Sequence, residues 1–363
     1  MRIAMFGHKR IPSREGGVEI VVEELSTRMA AQGHEVVCYN RGGAGVRQQE
    51  YRNIQLRVVP TIDRKGLAAV TSSFFAAAAA AFSRADVCHI HAEGPALMSF
   101  LPKLFGKRVI VTVHGLDWQR EKWKSGFGAK YIRWGEKSAV RFADEIIVLS
   151  RNVQDYFLKT YGRKTHIIPN GVTKPEIRPP EQIRTQFGLQ GGDYILFLGR
   201  LVPEKGIHYL IDAFTALQTD KRLVIAGASS DTDAYVEKLK KLAAHDSRIL
   251  FAGFAQGQLL EELYSNAYLY VLPSDLEGMP LSLLEAMSYG NCCVVSDIPE
   301  CTEVVKDHGI TFPKGNVQAL RDVLQNLCND AAPVERFRKD AGDFICGSYN
   351  WDDVTKKILE LYR

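Results

Sequence analysis

The chain has 363 residues, 46% apolar and 24% charged; this composition excludes extended disorder, and the length exceeds one comfortable core, so two domains are expected. Its seven cysteines are scattered and odd in number, with no Cys-x2-Cys pair, which argues against a disulfide framework or zinc site and points to a reducing cytoplasm. Residues 1–180 hold 28 Lys and Arg against 16 Asp and Glu, and residues 181–363 hold 18 against 26, so within the net +4 only the first half is expected to meet an anionic partner.

Residues 3–6 read as a first strand, with an apolar run too short for a secretory core. A basic loop (His8, Lys9, Arg10, Arg14) leads to Gly16-Gly17 and a helical pattern over residues 20–32. The glycine pair could let backbone approach a diphosphate at a helix N-terminus, and it departs from the Gly-x-Gly-x-x-Gly pattern of a nicotinamide site. Further strands are expected at 35–39, 86–90, 109–113, 145–149 and 165–168. The apolar run 66–82 falls short of a membrane span and is expected to be a buried, alanine-rich helix, with lipid contact as the alternative.

His89 and His91 share one face of a strand end, but no further Cys, Asp or Glu cluster completes a metal site around them. His114-Gly115 follows an apolar strand, where ligands gather in open α/β sheets, and its imidazole could bond a hydroxyl or a diphosphate oxygen. Residues 117–142 interleave cations with aromatics: Trp118, Arg120, Lys122, Trp123, Lys124, Lys130, Arg133 and Trp134. That mixture suits an anionic membrane surface or a lipid-linked acceptor, the alternative being one amphipathic helix with a buried aromatic face and solvated cations. Nucleic acid is not expected, because no recognised binding motif accompanies the charge.

Residues 172–184, with a proline-rich stretch at 174–180, read as the linker, and strands resume at 194–198, 222–226, 249–251, 267–272 and 292–296. After the first of these, Gly199-Arg200-Leu-Val-Pro-Glu-Lys205-Gly206 places a guanidinium and an ammonium before a helix, where both can meet phosphate oxygens. Glu277 and Glu285 then flank a Gly-Met-Pro turn and a helix start. Carboxylates can bind sugar hydroxyls while helix-start amides hold a diphosphate. Either glutamate alone could equally be a solvated helix-start residue, so the case rests on the combination. A last helix is expected over 351–362, capped by Asn350.

Together these residues resemble the retaining glycosyltransferases of family 4. The resemblance rests on GGVE at 16–19, HG at 114–115, PNGV at 169–172, GRLVPEKG at 199–206 and EGMPLSLLEAMSYG at 277–290, and it covers nearly the whole chain. The segment from His114 to Ser150 further resembles bacterial transferases of polysaccharide assembly, among them a rhamnosyltransferase group.

The resemblance implies an α/β chain of GT-B fold, two Rossmann-like domains facing each other across a cleft: 1–175, joined by a C-terminal helix at 349–363, and 176–348. It implies transfer of a hexosyl or deoxyhexosyl unit from a nucleotide-diphosphate sugar to a glycan or lipid-linked glycan, in assembly of a lipopolysaccharide or capsule. Arg200 and Lys205 would hold the diphosphate, Glu277 the sugar hydroxyls and Glu285 the ribose. Gly16, Gly17, Gly199, Gly278, Met279, Pro280 and Leu281 would line the donor, and His114 would sit over the sugar. No metal or other cofactor is implied, since Arg and Lys replace the cation. A cytoplasmic protein, peripheral on the inner face of the cell membrane, is expected. An epimerase or phosphorylase of the same fold and a non-catalytic membrane-anchoring subunit are the alternatives.

Overall fold

The computed structural model describes residues 1–43, 49–64, 66–120, 127–230 and 232–363. They form two units: Met1–Asn170 with Trp351–Arg363, and Gly171–Asn350.

The first unit carries strands β1 (Arg2–Phe6), β2 (Glu35–Arg41), β3 (Glu50–Tyr51), β4 (Ile54–Val59), β5 (Val87–His91), β6 (Arg108–Val113), β7 (Glu145–Val148) and β8 (His166–Ile167). They make one sheet in the order β3-β4-β2-β1-β5-β6-β7-β8, parallel except for the β3–β4 pair. The register sets Ile3 between Val36 and Val87. The helices are α1 (Gly17–Ala31), α2 (Leu67–Ala81), α3 (Glu93–Ala96), α4 (Phe100–Leu104), α5 (Phe127–Phe142) and α6 (Arg151–Tyr161). Ala4, Phe6, Cys88, Ile90, Val109 and Val111 are buried from the sheet, and Ala76, Ala77 and Ala80 of α2 pack into the same core.

The alanine-rich helix corrects the expectation of full burial. Ser72, Ser73, Ala76, Ala77, Ala80 and Ala81 are buried, small enough for close approach, and the two serines return their hydroxyls to the Ala68 and Ala69 carbonyls. The other face shows Leu67, Phe74 and Phe75 to solvent. No described helix is long and apolar enough to cross a membrane.

The second unit carries β9 (Tyr194–Leu198), β10 (Arg222–Ala226), β11 (Ile249–Gly253), β12 (Leu269–Leu272), β13 (Cys293–Ser296) and β14 (Ile310–Phe312). They are parallel in the order β11-β10-β9-β12-β13-β14. Around them run α7 (Gln182–Phe187), α8 (Ile207–Thr215), α9 (Asp233–Ala243), α10 (Gln258–Asn266), α11 (Leu281–Ser288), α12 (Pro299–Val305), α13 (Val317–Asn329) and α14 (Ala332–Ser348). The central strands read as continuous apolar runs because helices cover both faces.

The final helix, α15 (Trp351–Leu361), returns to the first unit. Tyr362 hydrogen-bonds the buried His89 ring at 2.6 Å, Arg108 donates to the Leu361 carbonyl at 2.8 Å, and Arg28 pairs with Asp352 at 2.9 Å. Within the second unit, Val172 bridges Asn350 and donates its N–H to the Tyr349 carbonyl at 2.6 Å, so that unit starts and finishes at adjacent positions. All seven cysteines are free thiols, five of them buried.

Candidate functional site

In the second unit two loops leave neighbouring strands on the same side of the sheet. The loop after β9 runs through Gly199 and Arg200, both half-buried, into a tight turn over Pro203–Lys205. Gly206 then starts α8 with φ +64°, and a Cβ there would lie 2.0 Å from the Pro273 carbonyl oxygen, so the position needs glycine for both its backbone angle and its space. Gly206→Ala is expected to cost a few kcal/mol through strain and displacement of the Pro273 backbone, on the scale of other special backbone sites. A urea melt that matched the unsubstituted protein would contradict this.

The β12 loop meets the β9 loop there. Asp275 donates its N–H to the Glu204 carbonyl at 2.8 Å, and the Tyr209 hydroxyl reaches Asp275 at 3.2 Å. The Lys205 ammonium contacts Glu277 Oε1 at 2.5 Å, with side chains only 10% and 8% exposed. Ser274 donates to the same oxygen at 2.6 Å, while its own carbonyl accepts the Ser296 hydroxyl at 2.5 Å. Removal of two charges from water is costly, and here the cost is offset by contact between them and by the serine bond. The sequence assigned Lys205 and Glu277 to different parts of a ligand; the structure joins them directly. Cys301, which no sequence signal singled out, lies in the field of this pair. Burial raises its thiol well above the ordinary range, Glu277 adds to the effect and Lys205 opposes it, so it is a small inert hydrophobe there.

Pro280 is the N-cap of α11, which has no side-chain cap at its N-terminus. First-turn amides of such a helix suit an anionic oxygen. Gly278 is buried in the turn, while Met279 and Leu281 pack their side chains against the core. Glu285, one turn on and half-buried, accepts the Tyr264 hydroxyl at 3.2 Å. Burial, followed by the Glu285 charge, drives the Tyr264 phenol well above its usual range. Tyr270 ties β12 to α11 by donating to Ser282 at 2.9 Å.

In the first unit Gly16 is the N-cap of α1 in an extended conformation, and Gly17 opens the helix. A Cβ on Gly16 would lie 2.3 Å from the Glu19 carboxylate, so this glycine makes room for a buried acid as well as for any approaching group. Glu19 accepts the Lys9 N–H at 2.8 Å. His8, read from sequence as part of a basic loop, is buried against Asn40 at 2.9 Å, and burial lowers its pKa to about 4, so it is neutral near pH 7. Asn40 accepts the Ile11 N–H and donates to the Ile11 carbonyl, which clamps the loop. Glu19 lies within the GGVE run; Asn40 had no sequence signal.

His114 bonds His91 at 3.1 Å with the rings stacked, and burial brings its pKa down to about 4. At neutral pH it can share a hydrogen bond and supplies no positive charge. His89 and His91 are fully buried, His89 between Tyr362 and Thr112. No group of three or more His, Cys, Asp and Glu among the described residues is placed to hold a metal ion.

The described part of the basic aromatic segment divides between an inward aromatic face and an exposed basic one. Trp118 packs against the core with Arg133 over its ring at 4.5 Å, and Arg120 pairs with Asp117 at 2.8 Å. Tyr131 and Ile132 are buried, and the buried Glu136 accepts hydroxyls from Tyr156 and Tyr161. Lys130, Arg133 and Trp134 are exposed. Lys122, Trp123 and Lys124 lie outside the described residues. Trp118 therefore serves the interior, because its bulk fills the space beside α5, rather than an outward aromatic belt.

Two family models match the chain: one described as Glycosyltransferase Family 4 over residues 15–174, and one described as Glycosyl transferases group 1 over residues 180–344. An alpha-maltose-1-phosphate synthase of Mycobacterium tuberculosis is 27% identical, the match covering 100% of this chain and 99% of that protein. Sucrose-phosphate synthase from Thermosynechococcus elongatus superposes with a TM-score of 0.86 at 22% identity, covering 100% of this chain and 98% of the other. Anabaena HepE in complex with UDP and glucose superposes with a TM-score of 0.83 at 19% identity, covering 99% and 98%. These superpositions show the GT-B fold.

Proposed function

We propose that this chain, a glycosyltransferase of the family 4 type, moves a hexosyl or deoxyhexosyl unit from a nucleotide-diphosphate sugar to a glycan or lipid-linked glycan. The observation that carries the donor half of this reading is the buried Lys205–Glu277 pair, with Arg200 on the same loop and the α11 N-terminus just beyond. The HepE structure, with UDP and glucose bound, supports a nucleotide-sugar as the donor class.

Breaking the bond between anomeric carbon and phosphate builds positive charge on the sugar and negative charge on the departing diphosphate. Fixed cations placed where the negative charge grows lower that transition state selectively. In the proposal Arg200 and Lys205 take this part without a metal, Glu277 meets the sugar hydroxyls, and Glu285 meets the ribose. The acceptor hydroxyl attacks from the side the diphosphate leaves, giving up its proton to the departing phosphate, so that anomeric configuration is kept with no enzyme nucleophile. The resemblance of residues 114–150 to polysaccharide-assembly enzymes supports a deoxyhexose such as rhamnose as donor sugar and a cell-surface glycan as product, made at the inner face of the membrane.

A thermal-shift screen against UDP-, GDP- and dTDP-linked sugars is expected to single out one nucleotide class, since a ligand that binds only the folded state raises the melting point. Arg200→Ala is expected to remove most of that shift and to lower transfer about 100-fold, the scale of losing one charge-stabilising donor. NMR of the product should show retained configuration; an inverted product would overturn the proposed stereochemical course. A donor sugar epimerised without acceptor, or tight donor binding with no turnover on any acceptor, would replace the reading with an epimerase or a silent binding subunit.

A further inference from the structure

The outer face of α2 is unusual for a surface helix. Its 15 residues contain no charged side chain, and while one face fills the core, Leu67, Phe74 and Phe75 point outward. A helix apolar on both faces is ordinarily enclosed. The exposed ridge ends in a sharper feature: Phe82, just past α2, is 75% exposed, and Leu104 at the end of α4 is 73% exposed. The Phe82 and Phe105 rings meet edge-on at 4.5 Å. Lys107 holds the two helix ends together by donating to the Ser83 carbonyl at 2.8 Å.

Cations ring this apolar tip. Arg84 lies two residues beyond Phe82 and is exposed, and Lys103 immediately precedes Leu104. Lys103 pairs with Asp144 at 2.5 Å and so adds little net charge, which leaves Arg84 and Lys107 to make the rim basic. The unit as a whole carries 29 Lys and Arg against 18 Asp and Glu, a balance of +11.

We propose that the Phe82–Leu104–Phe105 tip, continued along the outer face of α2, is the surface by which this protein docks on an anionic lipid bilayer. Projecting aromatic and aliphatic tips enter the boundary between headgroups and acyl chains, while a collar of Lys and Arg meets lipid phosphates. A second copy fits less well, since pairing the tips would bring two exposed Arg84 guanidinium groups and two net-basic units together. This surface differs from the tryptophan-bearing segment of the sequence reading, and it does not depend on the donor chemistry.

The test is co-sedimentation of the full chain with vesicles of phosphatidylcholine alone and of phosphatidylcholine mixed with phosphatidylglycerol. Wild type should pellet with the anionic vesicles and stay in solution with the neutral ones, and added salt should release it. Phe82→Ser with Phe105→Ser should lower the bound fraction about tenfold with an unchanged melting point, as expected for exposed side chains. Arg84→Glu should weaken binding to anionic vesicles alone. Wild type remaining in solution with both vesicles would overturn the proposal, as would serine variants that bind as wild type does. A vesicle-free dimer abolished by the serine substitutions would also overturn it, in favour of self-association. Donor hydrolysis by the same samples is read separately; its absence in every form would count against the transfer reading and leave the vesicle result standing.

Discussion

Replacing Lys205 with alanine is expected to lower sugar transfer by about 100-fold or more and to destabilise the second unit at the same time. The two effects have different causes. Loss of rate follows from losing a fixed cation opposite the leaving diphosphate. Loss of stability follows because Glu277, only 8% exposed, would lose the ammonium that offsets its burial and, among the described residues, keep the Ser274 hydroxyl at the contacted oxygen. Breaking one side of a buried pair costs about 3–5 kcal/mol, whereas replacing both partners with uncharged groups of similar volume is often neutral. Lys205→Met combined with Glu277→Gln should therefore recover most of the lost stability and none of the activity. Denaturant melts and initial rates on the single and double variants separate the two. A double variant that regained transfer would remove the ammonium from the mechanism, and a Lys205→Ala protein as stable as wild type would show that the pair is solvated.

Acidification should weaken the first unit. Burial brings His8 and His114 down to about 4 and His89 to about 3, from an ordinary 6.5, and holds His91 well below that value. Between about pH 6.5 and 4 the unfolded chain takes up protons at these rings while the folded protein does not. Stability is then complete above about 6.5 and falls as pH falls through the window. Glu93 acts in the opposite sense: burial, followed by the charge of Asp117, raises its carboxyl well above the usual range, so the folded state takes up that proton first. These four imidazoles, with His34 lowered in the same sense by its own burial, outnumber the one carboxyl and set the net direction. His8, His89 and His114 each contribute on the order of 3 kcal/mol once the window is crossed, and His91 acts in the same direction. Denaturant midpoints that stayed level from about pH 7 to about 4.5 would show that these rings charge freely.

The parallel strands of both sheets were legible because continuous apolar runs between turn signals leave little choice of period. Tyr194–Leu198 and Arg222–Ala226 stand where the pattern places them. β3 and β4 were missed: Glu50–Tyr51 is two residues long, and in Ile54–Val59 exposed Gln55 and Arg57 break the apolar run near the sheet edge. β14, three residues with Thr311 exposed, gives too short a signal. In the site, the glycines and the four charged side chains were visible as residue types at strand ends. Contact between Lys205 and Glu277 was not, because it depends on how two loops 72 residues apart in sequence meet. The same limit hid the Asn40 clamp on the loop bearing His8, and the inward turn of Trp118.

The return of α15 to the first unit has a consequence for synthesis. In synthesis the strands of the second sheet are complete by Phe312, whereas the earlier-made lobe waits for Trp351–Arg363. Until Tyr362 arrives, the buried His89 ring has Thr112 at one nitrogen and lacks its partner at the other, and the cover over that side of the nascent lobe is missing. A proteolytic clip within Trp351–Arg363 would therefore injure the half translated first and spare the half translated second.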